Sequence, residues 1–414
     1  MSPLDDFFVR VHPCRIVFFL ILVVLICGTL YAFSLGDNIR YPDEEDYFNI
    51  VRSLKTSGMY SRDGINPTAY RPPGYPFYLL IVTGGRGMVA CRIANMLAFC
   101  ACLGLLFAIV RREGGATAAT CAILIAAFYP LNLYAAGTLF PQSVASFLFL
   151  LGLYLYFRPS GLRPWNAVAT GIVFGLLLLT VPAFVCVVAI LYFAALFERK
   201  RHHGTAVALL FVTTLVMLMP WQIRNYNSFG RHFFVSTNSG INLLLGNSKN
   251  TRPNSGTNTD VSDYETSTGA LDEVERNSYL TQQALNYMKA NPARTLTMYV
   301  RKFVNYFSYR NELKMKGEQS VVRSLLVLFT YIPIVIVVII RLLQAHRYPL
   351  TRYERYALCL YILNGAFAAV FFTRIRFRIP FDYLMFTLAA LQLSRWLSLR
   401  NGGQESECVG RATI

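Results

Sequence analysis

The chain has 414 residues, 55% hydrophobic and 15% charged, with a formal net charge of +17. A soluble globule carries about 25% charged residues, and here the apolar residues gather in long runs instead of recurring at amphipathic spacing. That excludes an ordinary soluble domain and makes the chain a polytopic membrane protein. The positive-inside rule accounts for much of the excess charge. The basic residues form no single run with interleaved aromatics, so a nucleic-acid partner is not expected.

A helix needs about 20 apolar residues to cross a bilayer. Runs near that length occupy 16–35, 88–110, 116–134, 138–157, 165–181, 183–198, 204–220, 321–341, 355–372 and 382–398. The first is too long, and too poor in small residues at a cleavage site, for a signal peptide, and reads as a retained helix. The short fifth and sixth runs read as a tight hairpin broken at Pro182. Lys and Arg concentrate in alternate connections: Arg111-Arg112, Arg158 and Arg163, residues 198–201, and Arg341, Arg347, Arg352 and Arg355. With Arg10, Arg15, Arg395 and Arg400 they define a cytoplasmic side that holds both termini. The organisation expected is one transmembrane domain, 1–398, and a cytoplasmic tail, 399–414.

Two long polar segments then lie outside the cytoplasm. The first, 36–72, carries Arg40-Tyr41-Pro42-Asp43-Glu44-Glu45-Asp46. After Pro42, Tyr47, Ile50, Val51 and Leu54 recur at helical spacing, which predicts an amphipathic helix in the membrane interface ending at Gly58. Tyr70-Arg71-Pro72-Pro73-Gly74-Tyr75-Pro76 is a stiff cationic turn leading back to the membrane. The second segment, 221–320, opens with Trp221-Gln222-Ile223-Arg224-Asn225-Tyr226. It passes through a turn-rich stretch, 246–269, expected as a mobile loop, and regains helical character at 271–290. After Asn291-Pro292 it forms a second interfacial helix over 292–307.

Nine cysteines make no CxxC pair, none falls in the polar loops, and of five histidines only His232 lies in one. Neither a disulfide framework nor a metal site is expected. The candidate chemistry lies in carboxylates and arginines. Asp43 follows a proline at the exit from the first span and is the leading candidate for a catalytic base, with Glu44 second. A carboxylate near apolar residues at a bilayer surface is expected to have a raised pKa, suiting it to accept a proton. Glu45 and Asp46 are read as complementing the helix dipole. Arg71, held between Tyr70 and two prolines, presents a guanidinium fork that matches a phosphate. Arg374, Arg376 and Arg378 stand outside against the charge rule. In an extended segment they share one side and face an anion. Tyr70, Arg224, Asn225, Asn238, Asn242 and Asn247 are polar groups suited to a sugar near the same surface.

In combination these motifs resemble the multi-spanning glycosyltransferases of superfamily C, in the branch of protein O-mannosyltransferases and the lipid A aminoarabinose transferase. The carriers are Pro42-Asp43-Glu44 with Tyr47, Arg71-Pro72-Pro73-Gly74-Tyr75-Pro76, Pro220 to Tyr226 with Phe229-Gly230, Gly240-Ile241-Asn242-Leu243 to Gly246-Asn247, and Arg376-Phe377-Arg378-Ile379-Pro380, spread over nearly the whole chain. The resemblance implies an all-α bundle of about ten transmembrane helices with amphipathic helices in both outer loops. It implies inverting transfer from a polyprenyl-phosphate sugar to a glycan, lipid or protein on the extracytoplasmic face of a bacterial inner membrane. Asp43 matches the family's general base and Arg71 its donor-phosphate ligand, with Arg376 or Arg378 assisting. No nucleotide is required; a divalent cation is compatible with the carboxylates but not needed. The chain differs from relatives at Val181-Pro182, where many carry an arginine, and at Phe140-Pro141-Gln142-Ser143, where many carry Thr-Glu. The competing readings are an O-antigen polymerase or ligase, and a lipid-linked glycan transporter. The latter would need polar or charged residues deep in several spans, and spans three to six have almost none.

Overall fold

The computed structural model describes residues 13–159, 161–197, 203–254, 256–310 and 321–400. The expected tail beyond 400, the charged connection at 198–201 and Arg10 lie outside the described residues. Among the described residues the only regular structure is helical. In chain order the helices are α1 (Pro13–Leu35), α2 (Pro42–Ser57), α3 (Gly74–Thr83), α4 (Met88–Phe128), α5 (Pro130–Ala136), α6 (Gln142–Tyr156), α7 (Pro164–Thr180), α8 (Val185–Leu196), α9 (His203–Phe229), α10 (Ser239–Gly246), α11 (Ser262–Glu265), α12 (Glu273–Ala290), α13 (Pro292–Tyr306), α14 (Val321–Leu343), α15 (Arg352–Val370) and α16 (Ile375–Arg400).

Local chemistry accounts for most of these boundaries. Proline opens α2, α5, α7 and α13 at the first turn, where its missing N–H costs nothing. Gly58 ends α2 in the left-handed region, at φ 69°. Capping boxes start α12, from Asp272 and Glu275, and α15, from Thr351 and Glu354. Two expected spans, 88–110 and 116–134, merge into α4, which bends at Gly115 (φ 82°) and gives way to the short α5 at Pro130. The break at Pro182 stands, but α7 packs mainly along α9 instead of forming a hairpin with α8. The stretch 246–269 is tied down: Thr251 and Thr259 both donate to the Leu245 carbonyl, and α11 lies within it.

Among the described residues four helices are long and apolar enough to cross a membrane by length and composition: Arg15–Leu35, Met88–Phe128, Gly204–Phe229 and Val321–His346. Shorter apolar helices accompany them, and the chain is an integral membrane protein. α4 is central and packs against α1, α6 and α16, while α14 and α15 pack on α16. α1 lies at the periphery, with Phe18, Phe19, Leu30 and Phe33 exposed as a lipid-facing surface should be. Outside this bundle α10 and α12 form a smaller apolar cluster around Leu244, Leu280 and Ala284.

The two ends of the bundle differ chemically. At one end Arg341 and Glu354, both fully buried, pair at 2.7 and 2.9 Å, and Arg341 also donates to the carbonyl of Tyr348. From there α15 runs 19 residues to Val370 at the other end. That far end gathers the start of α2, the turn at 70–73, the loop before α6, the break at 181–184 and the start of α16 around one cavity. Two contacts there require glycine. A Cβ on Gly74 would meet the backbone N of Thr180 at 2.8 Å, and one on Gly246 would collide with the carbonyl of Phe371. The cavity end coincides with every connection that the Lys and Arg pattern assigns to the outside. Topology reporters fused near residues 60 and 260 are therefore expected to read extracytoplasmic, and those at 112 and 348 cytoplasmic. A cytoplasmic reading at 260 would separate the two ends wrongly and reject this orientation.

Candidate active site

The cavity has a volume of about 710 Å³. Its lining is largely apolar, with Val181, Phe184, Phe367 and Phe381, and includes the polar groups Asp43, Arg71, Arg376, Gln142, Asn238 and Asn242. Asp43 projects from the first turn of α2, and its carboxylate is about one-fifth exposed. Its Oδ1 accepts from Arg71 Nη2 at 2.5 Å and its Oδ2 from Arg376 Nη1 at 2.8 Å. Arg71 also donates to Asp46 Oδ2, from Nη2 at 2.7 Å and Nε at 3.0 Å. Asp46 in turn takes Arg62 at 2.8 Å. Asp43 and Asp46 are one helical turn apart and share a face, so one arginine spans both. Asp46 is thus part of the cluster, beyond the dipole role read from the sequence.

The electrostatics reverse one expectation. Burial alone would push the Asp43 carboxyl up, but Arg376 and Arg71, by charge and by hydrogen bond, together outweigh it and hold the group well below the usual carboxylate range. Burial disfavours the Arg71 cation, yet the carboxylates of Asp43 and Asp46 overcome this and keep it charged. Beside them, burial lifts the Tyr47 phenol to about 12. Asp43 at rest is therefore a fully ionised, weakly basic carboxylate, not the raised one expected.

The turn bearing Arg71 is fixed from several sides. Tyr60 Oη donates to the carbonyls of Arg71 (2.9 Å) and Pro72 (3.1 Å). Glu273 accepts from Thr68 Oγ1 (2.6 Å), the Ala69 amide (2.8 Å) and Thr237 Oγ1 (2.5 Å). Arg224 donates to the carbonyls of Thr68 (2.8 Å) and Tyr60 (3.2 Å), while its guanidinium lies 4.8 Å over the Trp221 ring. Arg224 and Asn225, read from the sequence as sugar-binding groups, do not line the cavity; Asn225 is fully buried and accepts from Arg224. Their work is to support the Arg71 turn. Tyr70 and Asn242 do line the cavity.

Glu44 also turns away from it. Adjacent residues on a helix diverge by about 100°. With Asp43 on the cavity side, Glu44 is driven into the bundle and is fully buried. It accepts from the amides of Arg40 (2.8 Å) and Leu139 (3.0 Å), with Arg92 and Arg40 at 3.7 and 3.8 Å. Glu44 thereby pins the loop before α6, and is a structural carboxylate. Arg378 departs from expectation for the same kind of reason. Residues 375–400 are helical, not extended, so Arg376 and Arg378 point apart and only Arg376 reaches the cavity. Arg378 is fully buried, pairs with Asp382 at 3.0 Å, donates to the carbonyls of Tyr306 and Ser308 (3.0 Å each) and lies 3.6 Å over the Tyr331 ring. Arg374 precedes the helix and donates to Thr257 Oγ1 at 3.1 Å.

Two features were not read from the sequence. Lys302, on α13, is buried. It donates to the carbonyls of Gly246 (2.9 Å) and Phe371 (2.8 Å), tying together the ends of α10 and α15 at the cavity rim. Burial draws its ammonium down to about 8. The second is Gln142, which is among the residues lining the cavity. Among the described residues no cluster of three or more His, Cys, Asp or Glu is arranged to hold a metal ion.

No protein-family model matches the chain, and no curated protein matches it. Among solved structures it is similar to the crystal structure of ArnT from Cupriavidus metallidurans in the apo state, with 18% identity over 90% of this chain and 76% of that one, at a TM-score of 0.41. It is similar also to ArnT from the same organism bound to undecaprenyl phosphate, with 14% identity over 92% of this chain and 78% of that one, again at 0.41.

The depressed Asp43 pKa sets a pH dependence. A carboxylate whose folded pKa lies below its unfolded value stabilises the fold fully above the unfolded pKa and loses that contribution as pH falls through the folded one. The stability difference between wild type and Asp43→Asn, followed by thermal unfolding in detergent, should be constant from about pH 8 to about pH 5 and shrink only below about pH 4. A difference already fading near pH 6 would contradict the double arginine clamp. In the same assay Arg378→Ala should be strongly destabilised, by roughly 3–5 kcal/mol, because it strands the Asp382 charge in the bundle.

Proposed function

We propose that this chain is a glycosyltransferase that moves a sugar from a polyprenyl-phosphate donor to a hydroxyl acceptor at the extracytoplasmic face of a bacterial inner membrane. The observation carrying this reading is the Asp43–Arg71–Arg376 cluster at a cavity whose lining is otherwise largely apolar. A lipid-borne phosphate asks for that combination: cations for the phosphate, an apolar lining for the first units of its chain, and a carboxylate beside the bond that breaks.

The arginines that hold Asp43 at rest are the groups a phosphate would engage. When the donor phosphate enters, Arg71 and Arg376 transfer hydrogen bonds from the carboxylate to the phosphate oxygens. Asp46 keeps its own contacts to Arg71 and preserves the direction of the fork. Asp43 then loses the two cations that depress it, and its desolvation raises its basicity. It accepts the proton of the acceptor hydroxyl as that oxygen attacks the anomeric carbon. The bond from that carbon to the phosphate oxygen breaks on the opposite face, and the electron pair leaves on the phosphate, where the arginines meet the developing charge. The product has inverted configuration. Glu44 acts indirectly, by holding the neighbouring loop, and the acceptor is a glycan, a lipid or a protein.

The test is sugar transfer in membranes from a polyprenyl-phosphate donor, with protein levels matched. Asp43→Asn retains the shape but cannot take the proton, and a positioned base is worth roughly 10²–10⁴-fold, so transfer should fall by that factor. Arg71→Ala should weaken donor use more than Arg71→Lys, which keeps the charge and loses the fork. Glu44→Gln should lower folded yield and thermal stability instead of the turnover of the protein that remains. Wild-type turnover in Asp43→Asn would reject the mechanism.

A further inference from the structure

We infer that Lys302 is a positioning residue of the donor-phosphate site: by joining the C-termini of α10 and α15 it fixes the link 371–374 and, through that link, the Arg376 guanidinium. This rests on the proposed donor reading and assigns part of phosphate recognition to a side chain that does not line the cavity.

α10 and α15 both end in carbonyls that lack intrahelical donors and carry the negative end of a helix dipole. Neither helix has a basic residue in its own last turn. Lys302, from α13, supplies one cation to both. Its Nζ donates to the carbonyls of Gly246 (2.9 Å) and Phe371 (2.8 Å), with Asn247 Oδ1 at 3.4 Å. Asn247 donates in turn to the Val370 carbonyl at 2.8 Å. Lys302 is 1% exposed, only burial shifts its ammonium, and among the described residues no carboxylate pairs with it. A cation buried among neutral oxygens is costly, so its place at this junction calls for a role that a surface lysine could not fill.

The junction is also where the chain turns toward Arg376. α15 stops at Val370, Phe371 leaves the helix at φ −93° and ψ −102°, and α16 begins at Ile375. Residues 371–374 therefore set the direction of Arg376, which follows in the first turn of α16. α13 holds this link at two points. Lys302 Nζ takes the Phe371 carbonyl, and the Lys302 carbonyl accepts from Thr373 Oγ1 at 2.9 Å, a hydroxyl that Asn305 Nδ2 also reaches at 3.0 Å. Beyond Arg376, Arg378 is held by the carbonyls of Tyr306 and Ser308. Without the ammonium the carbonyls of Gly246 and Phe371 would repel, the ends of α10 and α15 would part, and Arg376 would shift with the link. Arg71 stands on a turn fixed by Tyr60, Glu273 and Arg224 and does not depend on this junction.

The experiment measures binding of undecaprenyl phosphate to the purified full chain for wild type, Lys302→Met, Arg376→Ala and the double variant. Arg376→Ala should weaken binding about ten- to hundredfold, the loss expected for a hydrogen bond to a charged group, and Lys302→Met about five- to tenfold. In the Arg376→Ala background Lys302→Met should cost less than about twofold, because the side chain through which it acts is gone. Thr373→Val removes the other tie to the same link. It should weaken binding about two- to fivefold with the same dependence on Arg376, and it decides on the same criteria if Lys302→Met does not fold. Wild-type affinity in Lys302→Met, or a penalty equally large with and without Arg376, would overturn the positioning role. Failure of wild type to bind undecaprenyl phosphate, or wild-type affinity in Arg376→Ala, would instead overturn the donor reading on which it rests.

Discussion

The ionic contact between Asp43 and its two arginines is the constraint around which the outer end of the molecule is organised. Arg71 is 28 residues from Asp43 along the chain and Arg376 is 333 residues away. Each charge would be costly to leave half-buried alone, and each is retained because the others neutralise it. Holding three such groups within hydrogen-bond reach demands that the elements bearing them be fixed. Hence Glu44 is used to pin a loop, Glu273 to gather the 68–69 strand of chain with Thr237, and Lys302 to join the ends of α10 and α15. The buried Arg378–Asp382 pair ties α16 to its neighbours just below Arg376.

Much of this was legible in the sequence, and the parts that were not share a cause. Proline at the start of α2 and glycine at its end are local signals, and they placed that element well. The stiff turn around Arg71 was legible in the same way, its two prolines being written in the residues themselves. What failed was the direction of individual side chains. Asp43 and Glu44 are adjacent and chemically alike, and only packing decides that one meets the cavity and the other the bundle. Arg376 and Arg378 were assigned to one side on the condition of an extended chain. They lie instead in a helix, and Pro380 sits inside α16, sacrificing a single backbone hydrogen bond. The i, i+4 spacing of Arg378 and Asp382 was the available warning.

The pKa of Asp43 was misjudged for a related reason. Apolar surroundings do raise a carboxyl, and burial acts on Asp43 in that direction. The sequence alone did not bring Arg376 to it, and two cations within hydrogen-bond distance outweigh the desolvation. Similarly, Asn225 and Arg224 have the chemistry of sugar ligands, but Arg224 is spent on backbone carbonyls. Polar residue type indicates what a side chain can bind; the fold determines which partner reaches it first.

Under the proposed reaction the same clamp implies an order of events. While Asp43 accepts from both arginines it is a poor base, so an acceptor hydroxyl arriving first finds no group able to take its proton. The donor phosphodiester presents one negative charge on two non-bridging oxygens, so it can take the place of the carboxylate on both arginines. Its arrival both neutralises the cations and frees the base. Reactivity is then coupled to occupancy of the donor site through shared hydrogen bonds, without a large movement of helices. Asp46 completes the arrangement, because an arginine that lost both carboxylates would be free to leave with the phosphate, whereas one still held by Asp46 stays aligned for the next donor.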